Sequence, residues 1–210
     1  MIVVEGLKHS YGSQQIDYPE FEIPADSCFS IIGNSGSGKT TLLHLMAGLI
    51  RCQQGKINID GTSISSLGER ELDRFRGSNL GIIFQKSHLL RSLTVSENLL
   101  ASQFFSGNTQ RIARVNEVLK ELNLEEKSSS KPTELSQGEA QRVAIGRAVM
   151  NEPKVIMADE PTSSLDDDNC ENVLNLLIAE AKHYKASLVI VTHDQRVKEV
   201  VKDGINLNAP

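Results

Sequence analysis

The sequence predicts an α/β domain built on a mainly parallel sheet, and three observations carry that expectation. Short apolar runs at 28–32, 154–158 and 187–192 have the unbroken character of strands buried on both faces. Apolar residues at three- and four-residue spacing lie between them. Leu42, Leu43, Leu45, Met46, Leu49 and Ile50 follow the first run; Val173, Leu174, Leu176, Leu177 and Ala181 separate the second from the third. Finally, a glycine-rich segment joins the first of these strands directly to a helix, and strand alternating with helix is the order of a parallel sheet covered by helices.

The remaining elements follow in order. Residues 1–7 and 21–23 have strand character ahead of the first core strand, and 55–60, with apolar Ile57 and Ile59, reads as another strand. Residues 80–84 form an apolar run after the charged stretch 69–76. From 86 to 150 the pattern turns helical, with no convincing strand. Thr94 and Glu97 have the T-x-x-E spacing of a capping box, and Ile112, Val115, Val118, Leu119 and Leu122 make one apolar stripe, read as core. Residues 127–132, with three serines and a proline, read as a loop. The expected organisation is one domain over 1–210, with 1–85 and 151–210 forming the core and 86–150 an inserted helical subdomain.

Charge and cysteine content narrow the function. The net charge of −5, from 27 acidic and 22 basic residues, gives no general attraction to nucleic acid, and no nucleic-acid partner is expected. Cys28, Cys52 and Cys170 are far apart and lack metal-ligand spacing, which fits reduced thiols in a cytosolic protein. The first residues include Glu5 and no long apolar run, unlike a secretory or transit segment. No apolar stretch approaches the ~20 residues that span a bilayer, so any action at a membrane requires another chain to cross it.

The glycine-rich segment is Gly33, Asn34, Ser35, Gly36, Ser37, Gly38, Lys39 and Thr40, followed by Thr41; it satisfies G-x-x-x-x-G-K-[ST] between strand and helix. Glycines let successive backbone N–H groups face a phosphate, the helix start adds positive potential, and Lys39 adds a point charge. The Thr40 hydroxyl is placed for Mg²⁺. Asp159 and Glu160 end a buried strand, which delivers two carboxylates to the same sheet edge. In P-loop nucleoside triphosphatases the first such carboxylate supports Mg²⁺ and the second is placed to accept a proton from attacking water.

Residues 135–148, Leu-Ser-Gln-Gly-Glu-Ala-Gln-Arg-Val-Ala-Ile-Gly-Arg-Ala, precede that strand and resemble the signature of ATP-binding-cassette ATPases. The resemblance also covers Tyr11 in Ser-Tyr-Gly, Gln85 in Ile-Phe-Gln, Ser164-Leu-Asp166, and His193 in Val-Thr-His-Asp, in the family's order along essentially the whole chain. It implies a P-loop core with an N-terminal antiparallel β part, ATP with Mg²⁺ as cofactors, and an ATPase reaction. Tyr11 would stack on adenine, ordinary packing being its competing explanation. Gln85 would approach Mg²⁺ or the lytic water, His193 would donate to the γ-phosphate, and Asp166 would communicate across a dimer interface. Family members close two ATP sites between two head-to-tail copies, so Ser136 and Gly138 of one copy would complete the phosphate loop of the other. Gln137 and Glu139 depart from the common LSGGQ pattern, and the Glu139 charge is expected to bear on affinity or turnover.

Residues 55–85, 93–98 and 158–162 are similar to the MacB, LolD and FtsE group of bacterial subunits. That likeness implies a cytoplasmic subunit on the inner face of the bacterial inner membrane, driving a separate permease of the MacB, LolCE or FtsX type in export, lipoprotein release or mechanotransmission. Leu89, Leu90, Leu93 and Val95 lie where a permease helix would dock or are buried within the helical subdomain; the sequence leaves both open. The alternatives are a soluble non-transport ABC ATPase and a regulatory ATP-binding module. The first would ordinarily show tandem cassettes, coiled-coil insertions or a basic face.

Overall fold

The computed structural model describes residues 1–12, 14–163 and 167–207, with backbone alone at 167 and 168. Two sheets share the chain. β1 (Ile2–Tyr11) pairs antiparallel with β2 (Gln14–Asp17), β3 (Phe21–Ile23) and β5 (Gln54–Ile59), and β6 (Thr62–Ser63) extends β5. The second sheet is parallel, in the order β10 (Gly204–Asn206), β4 (Cys28–Ile32), β9 (Ser187–Thr192), β8 (Val155–Asp159), β7 (Leu80–Ile83). The helices are α1 (Lys39–Met46), α2 (Glu69–Asn79), α3 (Val95–Phe105), α4 (Ile112–Glu121), α5 (Gln137–Val149), α6 (Asp167–His183) and α7 (Gln195–Val200).

Every residue of β8 and β9 is buried, and the two-residue period of the strand sorts them onto two cores. Val155, Met157, Val189 and Val191 face a cluster with α1 and the antiparallel sheet. Ile156, Ala158, Leu188 and Ile190 face a second cluster that takes in α6 and continues through Val95, Leu99, Val115, Val118 and Val143 of the helical segment. Residues 86–150 are thus welded to one face of the parallel sheet by a continuous apolar cluster.

The N-terminus of α3 closes with the predicted reciprocal bonds: Thr94 Oγ1 accepts from the Glu97 N–H at 3.2 Å and Glu97 accepts from the Thr94 N–H at 2.6 Å. Fully buried Asn98 donates to the carbonyls of Leu90, Leu93 and Thr94 and accepts from the Leu90 N–H, fixing the turn before α3. Arg147 of α5 donates to the carbonyls of Ser87 and His88, tying the segment after Gln85 to the helical part.

Two expectations are corrected. The first helix ends at Met46 rather than reaching residue 50, because Gly48 takes φ +66° and the Leu49 and Ile50 N–H groups turn back to the His44 carbonyl. Ile112 leaves the apolar stripe: it opens α4 and is 61% exposed, while Val115, Val118, Leu119 and Leu122 are buried. The charged stretch before β7 is a helix, α2, whose Glu71 caps the Gly68 N–H. Strands β2, β6 and β10 and helix α7 are short elements with no periodicity of their own.

Candidate functional site

The parallel register of β8 and β9, Asp159 beside Val191, sets the next residues of both strands side by side where the sheet edge meets α1. There Glu160 Oε1 lies 2.8 Å from His193 Nδ1 and 3.8 Å from Lys39 Nζ. Its Oε2 accepts from Thr192 Oγ1 at 2.9 Å and stands 3.4 Å from the His193 N–H. Glu160 takes φ +48°, left-handed backbone that costs a side-chain-bearing residue about 1 kcal/mol. Its N–H is nonetheless fixed to the Val191 carbonyl at 2.8 Å.

The phosphate loop is preorganised. Gly38 takes φ +89°, and a Cβ there would lie 3.0 Å from the Tyr18 hydroxyl, which itself donates to the Gly38 carbonyl at 3.1 Å. Only glycine meets both conditions without strain. Buried Lys39 donates to the Asn34 carbonyl at 2.9 Å, and the Ser37 N–H bonds the same carbonyl at 3.2 Å. The Ser37 hydroxyl is buried with no hydrogen-bond partner among the described residues.

Thr40 Oγ1 donates to Asp159 Oδ1 at 3.1 Å. Burial pushes the Asp159 carboxyl above the usual carboxylate range and the neighbouring Glu160 adds to this, while the Thr40 hydrogen bond, His44 and Lys39 oppose it. Gln85 donates to Ser163 Oγ at 3.2 Å, and Ser163 donates in turn to the Glu160 carbonyl, linking the end of β7 to the end of β8.

Of these groups Gly38, Lys39, Thr40, Gln85, Glu160 and His193 line one cavity of about 460 Å³, together with Tyr11, Gln14, Ile16, Ser35, Gly36 and Thr41. Tyr11 is half exposed at its rim, its hydroxyl 3.4 Å from Thr41 Oγ1. Gln14 and Ile16 were not singled out in the sequence; they reach the cavity only because β2 folds back on β1. Gly33 is buried at the start of the loop. Ser136 and Gly138 do not line the cavity: they stand at the N-terminus of α5, where Ser136 Oγ accepts from the Glu139 N–H at 3.2 Å. Asp166, with Ser164 and Leu165, lies outside the described residues.

Glu139 acquires a definite local partner set. Its Oε2 accepts from the Ser136 N–H at 2.8 Å, Oε1 lies 3.2 Å from Lys127 Nζ, and the Ser136 and Lys127 hydrogen bonds hold its carboxyl below the usual range. The charge that stood out in the sequence completes a capping box and faces a lysine.

A strand-to-helix phosphate loop facing a hydroxyl–carboxylate pair and a second carboxylate bonded to histidine defines a P-loop nucleoside triphosphatase. Residues 16–163 match the family model described as ABC transporter, and the chain belongs to that family. It is 41% identical to the lipoprotein-releasing system ATP-binding protein LolD of Bacteroides fragilis, over 99% of this chain and 97% of that one. It is also 41% identical to the macrolide export ATP-binding/permease protein MacB of Mannheimia succiniciproducens, over 80% of this chain but 26% of that longer protein. Among solved structures it superposes with TM-score 0.87 and 31% identity on the ATP-binding cassette MJ0796, described as a dimeric post-hydrolysis state bound to ADP and Pi, covering 98% of this chain and 94% of that one. This chain is an ATP-binding ATPase subunit of its family. Among the described residues no helix is long and apolar enough to cross a membrane.

Proposed function

We propose that the chain hydrolyses Mg·ATP as one half of a head-to-tail pair at the cytoplasmic face of the inner membrane, driving a separate permease of the lipoprotein-release and export type. The observation that carries the hydrolytic reading is the convergence of Lys39, Thr40, Asp159, Glu160, Gln85 and His193 on one sheet edge.

In this reading the loop from Gly33 to Thr41 binds the phosphates and Tyr11 offers its ring to the base. Glu160 accepts a proton from the attacking water through Oε1, the oxygen that faces His193 and Lys39. His193, held by Glu160 at Nδ1, presents its other ring nitrogen to the terminal phosphate. The Thr40 hydroxyl, the Asp159 carboxylate and the Gln85 amide oxygen suit Mg²⁺, a hard cation that takes oxygen ligands and shares them with substrate phosphates. When bound, it neutralises charge on the phosphates.

Pairing rests on Ser136 and Gly138. The Ser136 oxygen accepts within its own helix, so its proton is left to donate outward. A Cβ at Gly138 would meet nothing nearer than Asn169 Oδ1 at 3.8 Å, so packing within the chain does not require a glycine that costs its helix about 1 kcal/mol relative to alanine. Close approach by a second copy's nucleotide accounts for both. The family likeness implies the same interface for Asp166.

Residues 86–150 serve as the arm that meets the permease. Of the four apolar residues proposed for docking, Val95 is buried, Leu89 and Leu93 are partly buried, and Leu90 is exposed. Phe104 and Phe105 at the end of α3 are 63% and 76% exposed, and Phe105 lines a groove of about 360 Å³ with Arg76, Ile82 and Arg147. MacB carries ATP-binding and permease functions in one protein, so a permease segment is the occupant assigned to this groove. The reading is tested by affinity purification from detergent-solubilised membranes. Recovery of an integral membrane partner that Phe105→Glu releases is expected; recovery with ribosomes or DNA instead would overturn it.

A further inference from the structure

We infer that Thr192 is a positioning residue for the hydrolytic carboxylate, a role that rests on the reading of Glu160 as the proton acceptor. Thr192 ends β9 and is fully buried. A hydroxyl at such a position costs free energy relative to the isosteric valine unless both its capacities are used. Here both are: Oγ1 donates to Glu160 Oε2 at 2.9 Å and accepts from the Asp194 N–H at 3.0 Å. With its single proton committed to Glu160 and its rotamer restricted by β-branching, the hydroxyl has one orientation.

The consequence is a division of labour within one carboxylate. Oε2 is anchored to the end of β9, by Thr192 and at longer range by the His193 N–H, and Oε1 is left to His193 Nδ1 and the cavity. Lys39 Nζ stands 3.8 Å from Oε1, too far for a hydrogen bond and near enough for attraction. Without the Thr192 donor, rotation of the carboxylate toward Lys39 would tighten that ion pair into a hydrogen bond and withdraw the base from water. The anchor is itself braced: Asp194 accepts from Thr162 Oγ1 at 3.1 Å, and the Arg196 guanidinium donates to both its carboxylate oxygens, Nε to Oδ1 and Nη2 to Oδ2.

The test compares Thr192→Val with Thr192→Ser at saturating Mg·ATP. The valine variant is expected to lose roughly 10- to 100-fold in kcat, the scale of one hydrogen bond to a charged group, with KM within about twofold of the parent. Serine, which keeps the hydroxyl, should restore most of kcat. A valine variant with unchanged kcat, or one that loses through KM alone, overturns the inference. Should valine prevent folding, Thr192→Cys keeps the size with a weaker donor; it should lose kcat at constant KM, and full activity there also overturns the role. In a Glu160→Gln background Thr192→Val should add no further loss, and an additive loss shows that Thr192 does not act through Glu160. Near-normal hydrolysis by Glu160→Gln alone instead removes the reading of Glu160 itself, so the two failures are separable.

Discussion

His193 Nδ1 lies 2.8 Å from Glu160 Oε1, although 33 residues separate them in the chain. The contact is a product of register: β8 and β9 run parallel and fully buried, so their first residues beyond the sheet meet at one edge. The same edge receives α1 with Lys39 and Thr40. The Glu160–His193 pair is therefore assembled by strand pairing, whereas Lys39 and Thr40 come from a local motif.

Replacing Glu160 with Gln tests the proton acceptor. ATP binding should persist, because Lys39 and the loop backbone are untouched, while turnover should fall by roughly 10²–10⁴-fold, the scale of a missing general base. Isothermal calorimetry and single-turnover hydrolysis measure the two separately, and near-normal turnover would reject the assignment.

Asp159 gives a pH-dependent prediction with a definite sign. Burial raises its folded-state pKa above the unfolded value, so its contribution to stability is complete below the ordinary carboxylate range and is lost as pH rises through the raised value. In nucleotide-free protein at neutral pH, Asp159→Asn should therefore melt at a higher temperature than the parent, with the gap closing toward acid pH. The same variant should lose the extra stabilisation that Mg²⁺ adds to ATP. A lower melting temperature at neutral pH, or an undiminished Mg²⁺ effect, counts against this account.

Ser136→Arg addresses pairing. The side chain would project from the start of α5 into the approaching copy, while the cavity that holds the nucleotide lies elsewhere in the same chain. Light scattering with Glu160→Gln as background should show ATP-dependent dimers that the arginine abolishes, with nucleotide affinity of the single chain retained. Undiminished dimerisation would contradict the shared site.

Arg114 ties the helical arm to the core. It is buried in α4, donates to the Tyr184 hydroxyl after α6, to Glu117 at 3.3 Å and to the Val149 carbonyl at 3.4 Å, and lies 3.6 Å from Glu121. Arg114→Met should destabilise by about 1–3 kcal/mol, less than for a fully buried pair because its acidic partners are partly solvated. Urea denaturation reads the loss, and an unchanged midpoint would show the cluster to be energetically neutral.

The sequence by itself determined the phosphate loop, the carboxylates at the end of β8, the alternation of strand and helix, and the capping box of α3. Each of these is written in neighbouring residues or in a short period, and local backbone geometry imposes it. Tertiary structure decided the rest. The burial that raises the Asp159 pKa, the approach of Tyr18 to Gly38, the entry of Gln14 and Ile16 into the cavity and the exposure of Ile112 depend on what distant elements place beside them. Thr192 is the clearest instance. In sequence it is one more β-branched residue ending a buried strand; only parallel pairing with β8 sets its hydroxyl against Glu160, because hydrogen-bond direction is a property of two chain segments and not of one.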